Sequence, residues 1–182
     1  MKAVLDACVL YPTVLREILL GVAQAGLYTP LWSDRILEEW ARATRKLGPQ
    51  AEEIARAEVS AVRRVFPDAA VKPHQGLEAR LHLPDENDIH VLATAIAGGA
   101  DVIITFNRAD FPQGVLAGEG LKRRDPDGFL WQLWSEEPRP VAEVVERVRA
   151  EAERLSGVPQ PLRPLLKRAR LPRLGKALSS SS

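Results

Sequence analysis

The sequence predicts an α/β chain with a mainly parallel sheet, followed by a helical C-terminal extension. Short apolar runs of strand length, "KAVLDA" and "DVIITF", alternate with longer segments of helical period. Cap residues, Gly and Pro fall where those segments begin and end. Strands separated by helices imply parallel pairing, because a parallel crossover has room for a helix.

Taken in order, Lys2 to Ala7 reads as a buried strand that contains a carboxylate near its end. Pro12 sits near a helix start, and Val14, Leu15, Ile18, Leu19 and Val22 recur at helical spacing until Gly26. "LYTPLW" leads to Ser33, the N-cap of a helix through about Lys46 that Gly48-Pro49 closes. A helix from Gln50 to about Phe66 places Ile54, Ala61, Val62, Val65 and Phe66 on one face. "AAVKP" is a second short strand candidate. A helix entered at Asp85 runs to Ala97, and Gly98-Gly99 ends it before the "DVIITF" strand. "EGLKRR" is a weaker edge-strand candidate, and "DPDGFLWQLW" starts a helix with Asp125 as cap and Pro126 first. "VAEVVERVRAEAERL" carries Val141, Val144, Val145, Val148, Ala152 and Leu155 on one stripe, with Glu and Arg interleaved opposite. A hinge, "GVPQPLRP", precedes a last short basic helix, and "SSSS" reads as a disordered end. Residues 1–134 are thus expected to form the α/β domain, 135–178 the extension with its basic tail, and 179–182 the disordered end.

Composition agrees with this division. The 182 residues, 46% hydrophobic and 27% charged, suit one good core plus a modest extension and exclude a disordered chain. No apolar run reaches the roughly 18 residues of a membrane span. The opening "MKAVLDACVL" resembles a signal peptide only until Asp6 interrupts it, and no small-residue cleavage site follows. It reads as a mature, cytoplasmic N-terminus. The single cysteine, Cys8, excludes a disulfide framework and a cysteine-rich zinc site, and its apolar neighbours mark it as a small buried residue. Charge is unevenly distributed. From Gly157 onward there is no Asp or Glu, yet six bases fall there, leaving 19 bases against 24 acids in the body, about −5. Lys167, Arg168, Arg170 and Arg173 of this tail are candidate RNA contacts; a solvated helix is the plainer reading.

In a parallel α/β sheet the functional crevice lies beyond the carboxyl ends of the strands. That rule selects among the acids. Asp6 closes the first strand, and Asn107 and Asp110 follow "DVIITF". Asp85 and Asp88 occupy a first helical turn, three apart and on one face. Glu39 adjoins the buried stripe Ile36, Leu37 and Trp40, whereas Glu38 is expected to point to water. Capping and dipole effects alone explain the Asp85–Asp88 pair for about 1–2 kcal/mol. Convergence changes the balance. Two like charges about 4 Å apart repel by about 4 kcal/mol at an effective dielectric near 20. Three such pairs cost on the order of 10 kcal/mol, comparable to a whole domain's stability. Protons or a cation must neutralise them, and hard oxygen donors select Mg²⁺ or Mn²⁺ over Zn²⁺. His74, His82 and His90 lack zinc-motif spacing and are expected to be non-catalytic, His90 because it points to a different helix face from Asp88.

The ordered set "VLDACVLYP", "SDRILEEW", "DENDIHVLATAIAGGAD" and "VIITFNRADFP" resembles a PIN domain, the family of metal-dependent ribonucleases that includes the VapC toxins. The resemblance runs from Met1 to about Trp134, and the remainder resembles the helical extension of one VapC-like subgroup. It implies a three-layer α/β/α sandwich around a mainly parallel sheet and Mg²⁺- or Mn²⁺-dependent hydrolysis of RNA to 5′-phosphate and 3′-hydroxyl ends. By resemblance, Asp6, Glu39 and Asp88 are the catalytic metal carboxylates and Asp85 is an accessory acid. The fourth acidic position holds Asn107, which would ligate through its carbonyl or a water, with Asp110 supplying the charge; one or two metal ions remain open. Thr105 and Asn107 would position ligand or phosphate. Ala7 stands where many relatives carry a hydroxyl. An RNA substrate, a cognate antitoxin of a type II toxin–antitoxin pair and no membrane are the implied partners. Trp131, Trp134 and the valine stripe offer apolar surface to a homodimer or to the monomer's own interior. Two other classes stay open: a non-catalytic PIN-fold binding module, motivated by Asn107, and an aspartyl phosphohydrolase, against which Cys8 stands where a second Asp is usual.

Overall fold

A computed structural model describes residues 1–181. In chain order the elements are β1 (Lys2–Leu5), α1 (Ala7–Leu10), α2 (Thr13–Gln24), β2 (Thr29–Leu31), α3 (Asp34–Ala43), α4 (Pro49–Val65) and α5 (Ile89–Ala97). They continue through β3 (Val102–Ile104), α6 (Gln113–Gly118), β4 (Lys122–Arg124), α7 (Pro126–Glu136), α8 (Pro138–Ser156), α9 (Leu162–Arg168) and α10 (Pro172–Ser180). Short 3₁₀ turns lie at Thr44–Leu47, Glu78–Arg80 and Glu86–Asp88. The α/β architecture with a parallel sheet and a helical C-terminal part is the one the sequence predicts. No helix among the described residues is long and apolar enough to cross a membrane. The chain divides into two compact units, one of Met1–Tyr11 with Tyr28–Arg124, the other of Pro12–Leu27 with the chain from Asp125 onward.

The first unit is built on a four-stranded sheet of order β2-β1-β3-β4, parallel at every pairing. Ala3, Val4 and Leu5 of β1 and Val102, Ile103 and Ile104 of β3 are buried, the continuous apolar run expected of central parallel strands. β2 was not expected within "LYTPLW". Pro30 depresses its strand propensity, yet Pro30 pairs with Ala3 because an edge strand tolerates a missing N–H. "AAVKP" does not become a strand. Ala70 forms a single bridge to Trp32, through Trp32 N to Ala69 O at 3.1 Å and Val71 N to Trp32 O at 2.8 Å, and Pro73 then interrupts the run.

Helices α3 and α5 set the position of the later site. Ser33 Oγ accepts from Ile36 N at 3.2 Å, capping α3, while Ile36, Leu37 and Trp40 are buried. α5 packs on β1 and β3. It ends at Gly98-Gly99, where Gly99 at φ +63° reverses the chain directly into β3. α4 departs from expectation. Ile54 and Val65 are 60% and 51% exposed, and only Ala55 is buried. Ion pairs link this helix to α3 instead, Arg56 Nη1 to Glu38 at 2.8 Å and Arg63 Nη1 to Asp34 at 2.6 Å. α6 and α1 were also unforeseen; α6 carries two glycines and buries only Leu116.

The second unit is helical. α8 packs on α2 and α7, and α10 on α7 and α9. Asp125 caps α7 by accepting from Gly128 N at 2.9 Å, with Pro126 in the first turn. Val141, Val144 and Val145 of α8 are buried, whereas Leu155 at the far end of the stripe is 70% exposed. The single basic helix expected near the end is two. Arg170, at φ +62°, breaks the helix, and Leu171 N turns back to Leu166 O at 2.8 Å. Within the expected disordered end 179–182, Ser179 and Ser180 belong to α10 and donate to Gly175 O and Lys176 O at 2.8 and 3.0 Å. Ser182 lies outside the described residues.

The left-handed Gly99 turn gives the first prediction. Gly99→Ala should destabilise the protein by roughly 1–2 kcal/mol, less a few tenths regained from unfolded-state entropy. A lowered urea midpoint at unchanged slope checks this; an unchanged midpoint contradicts the role of that turn.

Candidate metal centre

The sheet order fixes where side chains can converge. β1 connects outward to β2 on one side and neighbours β3 on the other, so the strand order reverses between β1 and β3. Asp6 follows β1 and Thr105 follows β3, side by side at the carboxyl edge, with Asp6 N donating to Ile104 O at 3.1 Å. α5 runs back along the sheet into β3, so its N-terminus, with Asp88, lies at this same edge.

Asp6 is only 3% exposed, yet it has no ion-pair partner among the described residues. Its Oδ1 accepts from Ala7 N at 2.8 Å, which starts α1, and its Oδ2 accepts from Thr105 Oγ1 at 2.7 Å. Burial pushes its carboxyl above the ordinary value, the Thr105, Ala7 and Cys8 hydrogen bonds oppose that, and the Glu39 charge adds to it. Cys8 Sγ lies 3.5 Å from both Asp6 Oδ2 and Thr105 Oγ1 and accepts from Phe106 N at 3.4 Å. Burial and the Asp6 charge push the thiol up to about 12, so it stays protonated. Cys8 is thus half-buried against the site, not the core filler its apolar neighbours suggested.

One carboxylate oxygen from each of Asp85, Asp88 and Asp110 lies within 4.8 Å of the others. The helix expected to begin at Asp85 begins in earnest at Ile89, after the 3₁₀ turn. Asp85 Oδ1 caps that turn by accepting from Asn87 N at 2.9 Å, whereas Asp88 makes no side-chain capping bond. Capping therefore accounts for Asp85 and leaves Asp88 unexplained. The Asp88 carboxyl is raised from 3.8 to about 6, first by burial and then by the charges of Asp6, Asp85, Asp110 and Glu39. A helix N-terminus ordinarily stabilises a carboxylate; here burial and crowding outweigh it. Asp110 is placed by the fully buried Phe111, whose carbonyl accepts from Arg123 Nη1 at 2.6 Å.

Glu38 and Glu39 part company. Glu38 accepts from Arg56 and Arg42 on the surface, and those hydrogen bonds hold it low, at about 2. Glu39 Oε1 lies 2.7 Å from Nε2 of the buried His90, with Arg35 Nε at 3.8 Å. That short contact is not aligned as a hydrogen bond, and neither ring nitrogen has an aligned partner. The two backbones fix the separation, whereas ring and carboxylate orientation are soft terminal torsions. His90 does leave the Asp88 face, as expected, but it turns onto Glu39. Its sequence signal was a histidine inside an otherwise apolar helix.

The remaining expected residues are placed as follows. Thr105 is 2% exposed and its hydroxyl is engaged, donating to Asp6 and accepting from Asn107 N at 3.0 Å. It orients Asp6 and Asn107 rather than facing a ligand. Asn107 is half-buried beside them. Lys167, Arg168, Arg170 and Arg173 lie in the other unit. Arg173 stacks 3.6 Å over the Trp131 ring, and Arg168 Nη2 donates to Gln160 Oε1 at 2.7 Å.

Asp85, Asp88 and Asp110 thus converge, with Asp6 and Glu39 near enough for their charges to act on Asp88 but outside that close trio, and among the described residues no Lys or Arg forms an ion pair with Asp6, Asp85, Asp88 or Asp110. The donors are hard oxygens, the set that suits Mg²⁺ or Mn²⁺. A family model described as PIN domain matches residues 2–109. No curated protein and no solved structure matches the chain.

Protonation gives the second prediction. The folded Asp88 carboxyl titrates near 6, above its ordinary 3.8. The folded state therefore binds protons more tightly, and stability falls as pH rises between about 4 and 6. In EDTA, the melting temperature of Asp88→Asn should match wild type near pH 4 and exceed it increasingly to a plateau above pH 6. Excess Mn²⁺ at pH 7 should reverse the order, because it stabilises wild type through binding. A difference independent of both pH and Mn²⁺ contradicts the crowding.

Proposed function

We propose, from the premise that this chain belongs to the PIN domain family, that it is a Mg²⁺- or Mn²⁺-dependent endoribonuclease. The observation that carries the proposal is the convergence of Asp85, Asp88 and Asp110, with the charges of Asp6 and Glu39 acting on Asp88, and without a Lys or Arg paired to the aspartates among the described residues. Asp6 and Asp88, with Glu39, Asp85 and Asp110 close by, would hold the cation. When bound, it supplies Lewis-acid polarisation of a phosphate oxygen and lowers the pKa of water at the site.

The protein's own groups have distinct tasks in this reading. Thr105 Oγ1, Ala7 N and the Cys8 thiol fix both oxygens of Asp6, so its lone pairs are aimed before any ligand arrives. His90 Nε2, 2.7 Å from Glu39 Oε1, limits where that carboxylate can move. Asn107, held by its backbone N–H on Thr105, presents an amide to a phosphate oxygen without adding negative charge. Asp110 supplies the carboxylate that Asn107 lacks. The finer reading, a VapC-like toxin restrained by a cognate antitoxin protein, rests on the order of the four motifs. The rival reading of a non-catalytic binding module rests on Asn107, and metal-dependent cleavage by purified protein excludes it.

Two neighbouring glutamates make the test sharp. With Mg²⁺ or Mn²⁺, the protein should cut single-stranded RNA to 5′-phosphate and 3′-hydroxyl ends. Glu39→Gln should reduce the rate roughly a hundredfold or more while remaining folded. Glu38→Gln, which only loosens a surface ion-pair network, should stay within a few-fold of wild type. Metal-independent cleavage, or loss in Glu38→Gln but not Glu39→Gln, overturns the assignment. Arrested bacterial growth on expression, relieved by Glu39→Gln and by the adjacent gene's product, is expected of the toxin role.

A further inference from the structure

The two last helices meet at a concave surface that the carboxylate centre does not use. Arg163, Pro164 and Lys167 of α9 and Pro172, Gly175 and Lys176 of α10 line a cavity of about 360 Å³, within the size range of small-ligand sites. The helices come together closely because position 175 has no side chain; a Cβ there would lie 3.2 Å from Leu166 Cβ. Leu166 of α9, Leu171 of the turn and Leu174 of α10 are fully buried, so the two helices are packed together at this point. The Arg170 turn and the Asp127 side chain, which accepts from Arg173 N and Leu174 N at 2.9 Å each, fix where α10 starts.

The bases of this segment sort into two groups. Arg173 is stacked on Trp131, Arg168 is held by Gln160, and Arg170 makes the turn. Arg163, Lys167 and Lys176 are exposed, line the cavity, and among the described residues have no carboxylate partner. None can arise locally, since the chain has no Asp or Glu after residue 156. Asp127, the acid that contacts the start of α10, is spent on the α10 backbone. Three cationic residues without carboxylate partners thus line one Pro- and Gly-walled hollow.

We propose that this cavity binds a backbone phosphate of single-stranded RNA, as a holding site separate from the carboxylate centre. The identity of the anion rests on the ribonuclease reading. A protein that acts on a polyanion, yet carries about −5 over residues 1–156, needs a cationic surface to retain it. Contacts of this kind position the strand without reading its bases.

The experiment is fluorescence anisotropy of a labelled single-stranded RNA with the full chain in EDTA, over a range of KCl. Each phosphate contact on a single strand contributes about 0.7 to the slope of log affinity against log salt. Arg163→Ala/Lys167→Ala/Lys176→Ala should lower that slope by about 2 and weaken binding at low salt, with unchanged Mn²⁺ stabilisation. Arg139→Ala/Arg154→Ala, whose bases already face glutamates, should leave the slope alone. Should the triple variant melt early, Lys167→Gln and Lys176→Gln, at exposed positions, should each lower the slope by about 0.7. An unchanged slope and affinity overturns the proposal. So does binding of poly-glutamate in preference to RNA that the same variant loses, which would make an acidic polypeptide the ligand. RNA retained through the cavity but never cleaved defeats the ribonuclease reading and leaves the holding site standing; cleavage with an unaltered slope does the reverse.

Discussion

A carboxylate buried at the end of a central parallel strand, with no cationic side chain paired to it among the described residues, is the constraint around which the first unit is organised. Asp6 keeps its charge only to the extent that Thr105, Ala7 N and Cys8 replace water around it. Those three groups come from the start of α1 and the end of β3, so the β1–β3 register, Leu5 opposite Ile104, is the register that supplies them. The same pairing puts Asn107 and Asp110 just beyond the strand, and the Gly98-Gly99 turn brings Asp88 to the same edge. Burial first, and repulsion among these groups second, raise the Asp88 carboxyl, so both are properties of the fold. The backbone thus assembles the acidic cluster before any ligand arrives.

Much of this framework was legible in the sequence because strong local rules agreed. Ser33 and Asp125 cap the helices they precede, and the apolar runs of β1 and β3 are buried on both faces. Where local and tertiary rules diverge, the sequence misleads. Pro30 argues against a strand, but an edge position removes the objection. Ile54, Ala61, Val62, Val65 and Phe66 form an apolar stripe on paper, yet Arg56 and Arg63 tie α4 to Glu38 and Asp34, and Ile54 and Val65 stay exposed. The turn at Arg170 was hidden because a non-glycine residue occupies the left-handed conformation.

Asp6, Asp85, Asp88 and Asp110 lie where the crevice rule looked, at strand ends and a helix start, whereas Glu39, in the middle of α3, was named from its buried stripe and the resemblance. Their partners were not legible. The Cys8 thiol and His90 act through contacts between residues far apart in the chain, and each sits among apolar neighbours that favour the core reading. Thr105 was expected to position ligand or phosphate; its hydroxyl donates to the buried Asp6 and accepts from Asn107 N. Charge told a similar story in the second unit. Counting bases located the cationic tail, while packing separated Arg168 and Arg173, already engaged, from Arg163, Lys167 and Lys176, which remain open.

The central claim is that one cation reconciles these carboxylates. Anomalous diffraction from crystals soaked in Mn²⁺ near pH 7 tests it most directly. The account predicts a manganese peak coordinated by Asp6 and Asp88, with Glu39, Asp85 or Asp110 completing the set directly or through water, and no such peak in Asp88→Asn. A peak bound elsewhere, or an Asp6–Asp88 edge that stays without manganese at saturating concentration while RNA is still cut, would contradict it.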